Sequence, residues 1–481
     1  MHKSIIIALM KKLTVLILLC LASSAFAEGL PDLGDASQAV ITPQQERQIG
    51  QQSMMRIRAS SQFLDDPEVN DYLNQIGDRL VANSNEPALN FEFFALNDET
   101  VNAFAIPGGF IGVNAGLLLT TQSESELASV LAHEIAHVTQ HHYARLLSGT
   151  QNDSLTSMAA IAVAILAARN SPQTSQAAIL GAQARAVQKR LDFTRMHEQE
   201  ADRIGLDLLE KSGFNAHAMP EFLARLQRAT RLLEGNAPNY LRTHPVTSER
   251  IADIENRVSK QPYRLIPDSL DFQLVRTKLI AAQKSGSDAV SYFDHALTDK
   301  KFGNPVAQRY GLILSLLRNN DATQALQEMN ILRTQVSGNA LIDTLAGKVI
   351  AAQKNDQESL AYYKTAVENH PQYRALIYDY AQLLLRTGQA MRASHLLSER
   401  ISRYPADITL YKLQAHAYQL LNMQLEQHQA LAYSYAWQGN LRAAIEQLEL
   451  AKQAGGSFYQ ISTIESDLRE LRDMMDVRVK K

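Results

Sequence analysis

Residues 127–142, LASVLAHEIAHVTQHH, set four histidines and one glutamate into a run of otherwise mostly small and apolar residues. His133, Glu134 and His137 form an HExxH. On an α-helix, positions four apart share a face, so both imidazoles can reach one ion. Glu134, one residue past the first of them, is then placed to take a proton from a water on that ion. Zinc is the natural occupant of such a pair. Leu127, Val130, Leu131, Ala132, Ile135, Ala136 and Val138 would bury the helix on several sides, where unpaired polar groups are costly unless something binds them. His141 and His142 fall a further turn along, about 6 Å down the axis, too far from an ion held at about 2.1 Å. They are expected at the surface. Ser123 with Glu126 three residues later predicts a capping box at the start of this helix.

A catalytic zinc site takes three protein ligands and keeps one position open, so a third donor must come from elsewhere. RMHEQEADRIG, residues 195–205, is helical in pattern, and Glu198 and Asp202 share one face of it. Glu198 can bind the ion while Asp202 accepts a hydrogen bond from the outer nitrogen of a ligand histidine, fixing its ring. Glu200 points elsewhere. The competing interpretation is a solvated acidic face, which loses weight beside the HExxH.

The rest of the 481 residues frames this site. With 46% hydrophobic and 20% charged residues, the chain reads as a folded soluble protein of two domains. A net charge of −3 gives no reason to expect nucleic acid. Residues 1–27 end in MKKLTVLILLCLASSAFA, with a basic start, a short apolar stretch and a small-residue ending at Ala27, which reads as a secretory signal. Its removal would take away three lysines and Cys20, leaving a net charge of −6 and no thiol. From residue 42 to 257, helical patterns flank two stretches with strand and turn signals, PALNFEFFALND and AFAIPGGFIGVNAGLLLT. Residues 149–190 contain MAAIAVAILAA (158–168), short of the roughly 20 residues needed to span a bilayer and suited to a flap or an interfacial helix.

Beyond about residue 265, past SKQPYRLIPDS, only helical patterns remain. Pro371 and Pro405 are 34 residues apart, as are Gly347 and Ala381, and Ala393 with Tyr404-Pro405 falls where tetratricopeptide helix pairs put a small contact residue and a helix-ending proline. Such pairs stack into a curved surface that binds extended peptide or a partner protein. The expected fold class is therefore α+β over residues 28–265, a mostly helical zincin-type metallopeptidase domain with a small sheet, followed by an all-α repeat domain over 266–481.

HEIAH, EQEAD and THPVTSER, with His244, Pro245 and Arg250, resemble the metallopeptidases that include the CAAX prenyl protease and the heat-shock membrane protease HtpX. With its signal and repeats, the chain is similar to the periplasmic β-barrel assembly-enhancing members of that family. The resemblance implies that His133, His137 and Glu198 bind one Zn2+ per chain, that Glu134 is the general base, and that Asp202 and Arg250 support the ligands. It also implies that His244 either occupies the open zinc position and silences the enzyme or stabilises the oxyanion. AIPGGFIGVNAGLL resembles the family's edge strand, so Gly112, Val113, Asn114 and Ala115 would lie along an extended substrate, the last two near the cleaved bond. The implied location is the periplasm, with unfolded or stalled outer-membrane proteins as substrates, the β-barrel assembly machinery docked on the repeats, and a peripheral contact with the outer membrane. The alternative is an assembly adaptor acting through its repeats, its zinc site latched or structural. Some relatives carry a disulfide in the repeat domain, and the mature chain here has no cysteine for one.

Overall fold

A computed structural model describes residues 41–148, 184–231, 239–260, 262–299 and 303–479. The signal sequence with Cys20 and the segment 149–190 as far as residue 183 lie outside the described residues. Two helices come first, α1 (Pro43–Arg58) and α2 (Pro67–Val81). Both begin with proline, whose missing N–H costs nothing at a first turn, and are capped by the side chains of Thr42 and Asp66.

Three short strands follow, β1 (Glu92–Leu96), β2 (Ala103–Ile106) and β3 (Phe110–Asn114), in the spatial order β1-β3-β2. β2 and β3 form an antiparallel hairpin. Gly108 and Gly109 make its turn at φ of 81° and 88°, a region that L side chains avoid, and a Cβ on Gly108 would stand 2.5 Å from the Arg47 Cα. β1 lies parallel on the far side of β3. Its outer edge is closed: Asn70 and Asn74, four apart on α2, hydrogen-bond the backbone of Ala95 and Phe93, and the Leu64 N–H donates to Ala95. The strand signal in AFAIPGGFIGVNAGLLLT stops at Asn114, and Ala115–Thr120 is a helix, α3.

The HExxH lies on α4 (Glu124–Thr139), against the sheet. Leu127, Leu131, Ala132, Ile135 and Ala136 are wholly buried, each large one contributing roughly 2 kcal/mol of burial. Ser123 caps the helix as expected, accepting from the Glu126 N–H. The reciprocal half of the predicted box is not formed, because Glu126 is drawn to Arg225 and to the Gln122 N–H. A charged guanidinium outcompetes a neutral amide for the carboxylate. The first half continues with α5 (His142–Ser148), α6 (Ala184–Lys211), α7 (Ala218–Arg231), α8 (Asn239–Thr243) and α9 (Ser248–Val258).

The remaining described elements are helices in pairs: α10 (Leu270–Gln283), α11 (Gly286–Asp299), α12 (Pro305–Arg318), α13 (Ala322–Gln335), α14 (Ala340–Ala352), α15 (Asp356–Asn369), α16 (Arg374–Arg386), α17 (Ala390–Arg403), α18 (Ile408–Leu420), α19 (Gln424–Trp437), α20 (Leu441–Ala454) and α21 (Phe458–Val479). Starts at residues 340, 374 and 408 keep the 34-residue period of tetratricopeptide repeats. Gly347 lets α14 approach α15, since a Cβ there would stand 2.5 Å from the Tyr363 ring.

Residues 262–269 carry neither helix nor strand, yet they are not a loose tether. Ser269 caps α10 and bonds Glu124 at the start of α4, and Phe272 packs on Tyr72. Lys278 reaches Asp66 and Glu68 at the head of α2, and Arg374 on α16 bonds Asp71 at 2.7 Å. One hydrophobic core therefore runs from α2 through the sheet into the first repeats. The change of pattern near residue 265 marks a change of architecture within continuous packing.

Candidate metal centre

Four side chains from two helices and a loop meet at one face of α4. His133 and His137 come from α4, Glu198 from α6 and His244 from just after α8. Gly205 brings α6 against α4, for a Cβ there would stand 3.0 Å from the His133 backbone nitrogen. His133 Nε2 is 3.1 Å from His137 Nε2, 3.3 Å from a Glu198 oxygen and 3.3 Å from His244 Nδ1. Glu198 also lies 3.4 Å from His137 Nε2 and 3.0 Å from His244 Nδ1.

These spacings fit a metal. Donors at the corners of a tetrahedron with bonds near 2.1 Å stand about 3.4 Å apart. The chemistry of the donors fits as well: imidazoles and a carboxylate, all largely buried, with their nitrogens turned toward one another. Burial alone would depress the pKa of His133, but the carboxylates of Asp202 and Glu198 raise it to about 10. Burial would likewise raise Glu198, and His244, His133 and His137 instead hold it well below the usual carboxylate range. Two carboxylates among imidazoles are a pocket that draws a cation, and a divalent ion can take the place of the proton on His133.

The outer nitrogens are held too. His133 Nδ1 is 3.1 Å from Asp202, and Arg250 grips the same carboxylate with two 2.7 Å bonds while its Nη1 reaches Glu198 at 2.9 Å. Arg250 is 2% exposed. Glu134 is 1% exposed, and its Oε1 makes no hydrogen bond although His244 Nε2 stands 3.3 Å away. A buried carboxylate oxygen with no hydrogen bond is expensive. Residues 133, 134, 137, 198, 202, 244 and 250 thus lie together.

The profile of Peptidase family M48 matches residues 67–258. The β-barrel assembly-enhancing protease of Escherichia coli (strain K12) is 33% identical over 430 residues, covering 88% of this chain and 87% of that protein. The chain belongs to peptidase family M48. The mitochondrial metalloendopeptidase OMA1 of Schizosaccharomyces pombe (strain 972 / ATCC 24843) is 33% identical over 184 residues, 38% of this chain and 51% of that one. Among solved structures, MamA from Desulfovibrio magneticus RS-1 is similar at 14% identity and a TM-score of 0.28, covering 36% of this chain and 97% of MamA.

Two expectations require correction. Gly112, Val113 and Asn114 belong to β3, which is the central strand and is paired on both sides, while Ala115 opens α3. They cannot offer a free edge. Among the described residues the open edge is β2. The Asn114 N–H donates to the Asn102 carbonyl, so Phe104 and Ile106 also face β3, and the backbone groups of Val101, Ala103 and Ala105 point outward. The Val101 carbonyl accepts from Tyr240, whose ring stacks on His244. The hairpin sequence shows two strands but not which of them has a third neighbour.

The second correction concerns His141 and His142. Neither belongs to the donor cluster, as expected, but His142 is 5% exposed and His141 only partly exposed, paired with Glu46 and Glu86. The surface expectation assumed that α4 runs on. It ends at Thr139, and His141 turns left-handed at φ 48°, which swings His142 back under His137. Tyr240 and His197 were also missed; nothing in their local pattern singles them out.

Proposed function

We infer that this chain is a zinc endopeptidase of the Gram-negative periplasm that serves outer-membrane β-barrel assembly and degrades misfolded or stalled barrel proteins. The observation that carries the enzymatic reading is the near-tetrahedral spacing of four donors, three of them buried, beside an unsatisfied glutamate. Zinc held by His133, His137 and Glu198 would supply Lewis acidity, lowering the pKa of a water toward about 7 and polarising the scissile carbonyl. Glu134 takes the proton of the attacking water and returns it to the leaving amine. Asp202 and Arg250 lock His133 and Glu198 in place, so the donors need no rearrangement during the reaction.

A client segment lies extended along the free edge of β2, held by the outward backbone of Ala103 and Ala105. Main-chain pairing explains a protease that selects unfolded chains over particular sequences. The relatives named for β-barrel assembly support outer-membrane proteins as clients, and the repeats supply a surface for the assembly machinery.

The position of His244 favours a second, coexisting activity. Its Nδ1 takes the fourth corner of the donor set, which is the place a substrate needs. In that state the chain works as an assembly adaptor with its protease latched. Glu134→Gln tests the enzymatic reading: the purified variant keeps its zinc and no longer cleaves a denatured protein. Cleavage by a pure preparation of that variant would refute it.

A further inference from the structure

His142 and Glu200 have no part in the reading above, yet they lie directly behind one of its ligands. His142 Nδ1 is 2.8 Å from His137 Nδ1, and His142 Nε2 is 3.1 Å from Glu200 Oε2. Arg145 bonds the same Glu200 oxygen at 2.9 Å. The His142 ring meets the His137 ring edge-on and stacks flat on His197, at 4.1 Å and 5°. The left-handed His141, whose backbone costs about 1 kcal/mol or more outside glycine, is what puts the ring there.

A 2.8 Å contact between two imidazole nitrogens holds one proton. His137 turns Nε2 toward His133 and Glu198, so its proton sits on Nδ1 and is donated to His142. His142 must then be the acceptor at Nδ1, which leaves its own proton on Nε2, facing Glu200. This tautomer follows from the network. Each histidine of the HExxH thus ends on a carboxylate of α6: His133 directly on Asp202, and His137 through one imidazole on Glu200.

We propose that His142 and Glu200 are positioning residues for the metal centre: His142 accepts the Nδ1 proton of His137 and Glu200 orients His142, so that metal retention depends on both. The inference rests on the ligand set His133, His137 and Glu198. Such outer partners are worth 10–100-fold in metal affinity as an order of magnitude.

The test uses the full chain, stripped of metal and titrated with zinc against a competing chelator, together with the visible spectrum of the Co(II)-substituted protein. His142→Leu removes the acceptor and is expected to bind zinc about 10–100-fold more weakly, with an altered Co(II) spectrum. His142→Asn places an oxygen near the position of Nδ1 and is expected to recover most of that loss. Glu200→Gln falls between them. A purely structural role would instead lower the melting temperature of the metal-free variant and leave zinc affinity alone. Zinc affinity of His142→Leu within about threefold of wild type overturns the proposal, and if that variant does not fold, Glu200→Ala is held to the same criterion. A wild type that takes up no zinc sinks the ligand set itself, whereas a zinc-binding wild type matched by His142→Leu sinks only this inference.

Discussion

His244 Nδ1 lies 3.3 Å from His133 Nε2, although 111 residues separate the two in sequence. The ring is fixed there by Tyr240, stacked at 4.9 Å, whose backbone is tied to Val101 at the end of the open edge. Nothing in the donor geometry distinguishes His244 from the other three donors.

Replacing His244 by alanine vacates the fourth corner. Cleavage of a denatured protein should rise on the order of tenfold, the release of a latch worth about 1.4 kcal/mol. Rates are compared at equal zinc content. A slower variant would mean that service to the oxyanion outweighs obstruction.

Ala105→Pro removes one outward N–H from β2 at an edge position that tolerates proline. Loss of a single main-chain hydrogen bond is worth about 0.5–1.5 kcal/mol, so kcat/KM for an unfolded protein should drop roughly two- to tenfold. Zinc content and melting temperature should hold. If kcat/KM is unchanged, clients do not bind along this edge.

Arg250→Met leaves Asp202 and Glu198 buried without their guanidinium. Breaking one partner from a buried pair costs about 3–5 kcal/mol, and calorimetry should record a much lower melting temperature for the metallopeptidase half. Retained stability would show that His133 alone neutralises both carboxylates.

Asp379 on α16 titrates at about 6, raised chiefly by burial despite Lys348 at 3.6 Å. Its unfolded value is 3.8, so the stability it contributes is complete below that value and is lost as pH rises through about 6. Asp379→Asn avoids the loss. Relative to wild type, the variant should gain on the order of 2 kcal/mol between acid and alkaline solution, read as a melting-temperature difference that widens from about pH 4.5 to pH 8. A difference that stays constant with pH would contradict the buried carboxyl.

Much of the centre was legible because α-helical spacing is rigid. HExxH and ExxxD each set two side chains four apart on one face whatever surrounds them, which is why the pairs His133 with His137 and Glu198 with Asp202 were legible in the sequence. The 34-residue period of the repeats was legible for the same reason. His142 was misjudged because a helix end depends on what the next residues can bond to, and a left-handed histidine leaves no mark in the sequence. β3 was misjudged because a strand's neighbours are set by pairing across distance.

By itself, then, the sequence determined which local faces carry metal-binding and apolar groups, since those depend only on the geometry of one turn of helix. Tertiary structure alone decided that His244 closes the donor set, that β2 offers the open edge, and that Glu200 stands behind His137 through His142. Each of those depends on a packing distance between segments far apart in the chain, and such distances are fixed only when the whole core condenses.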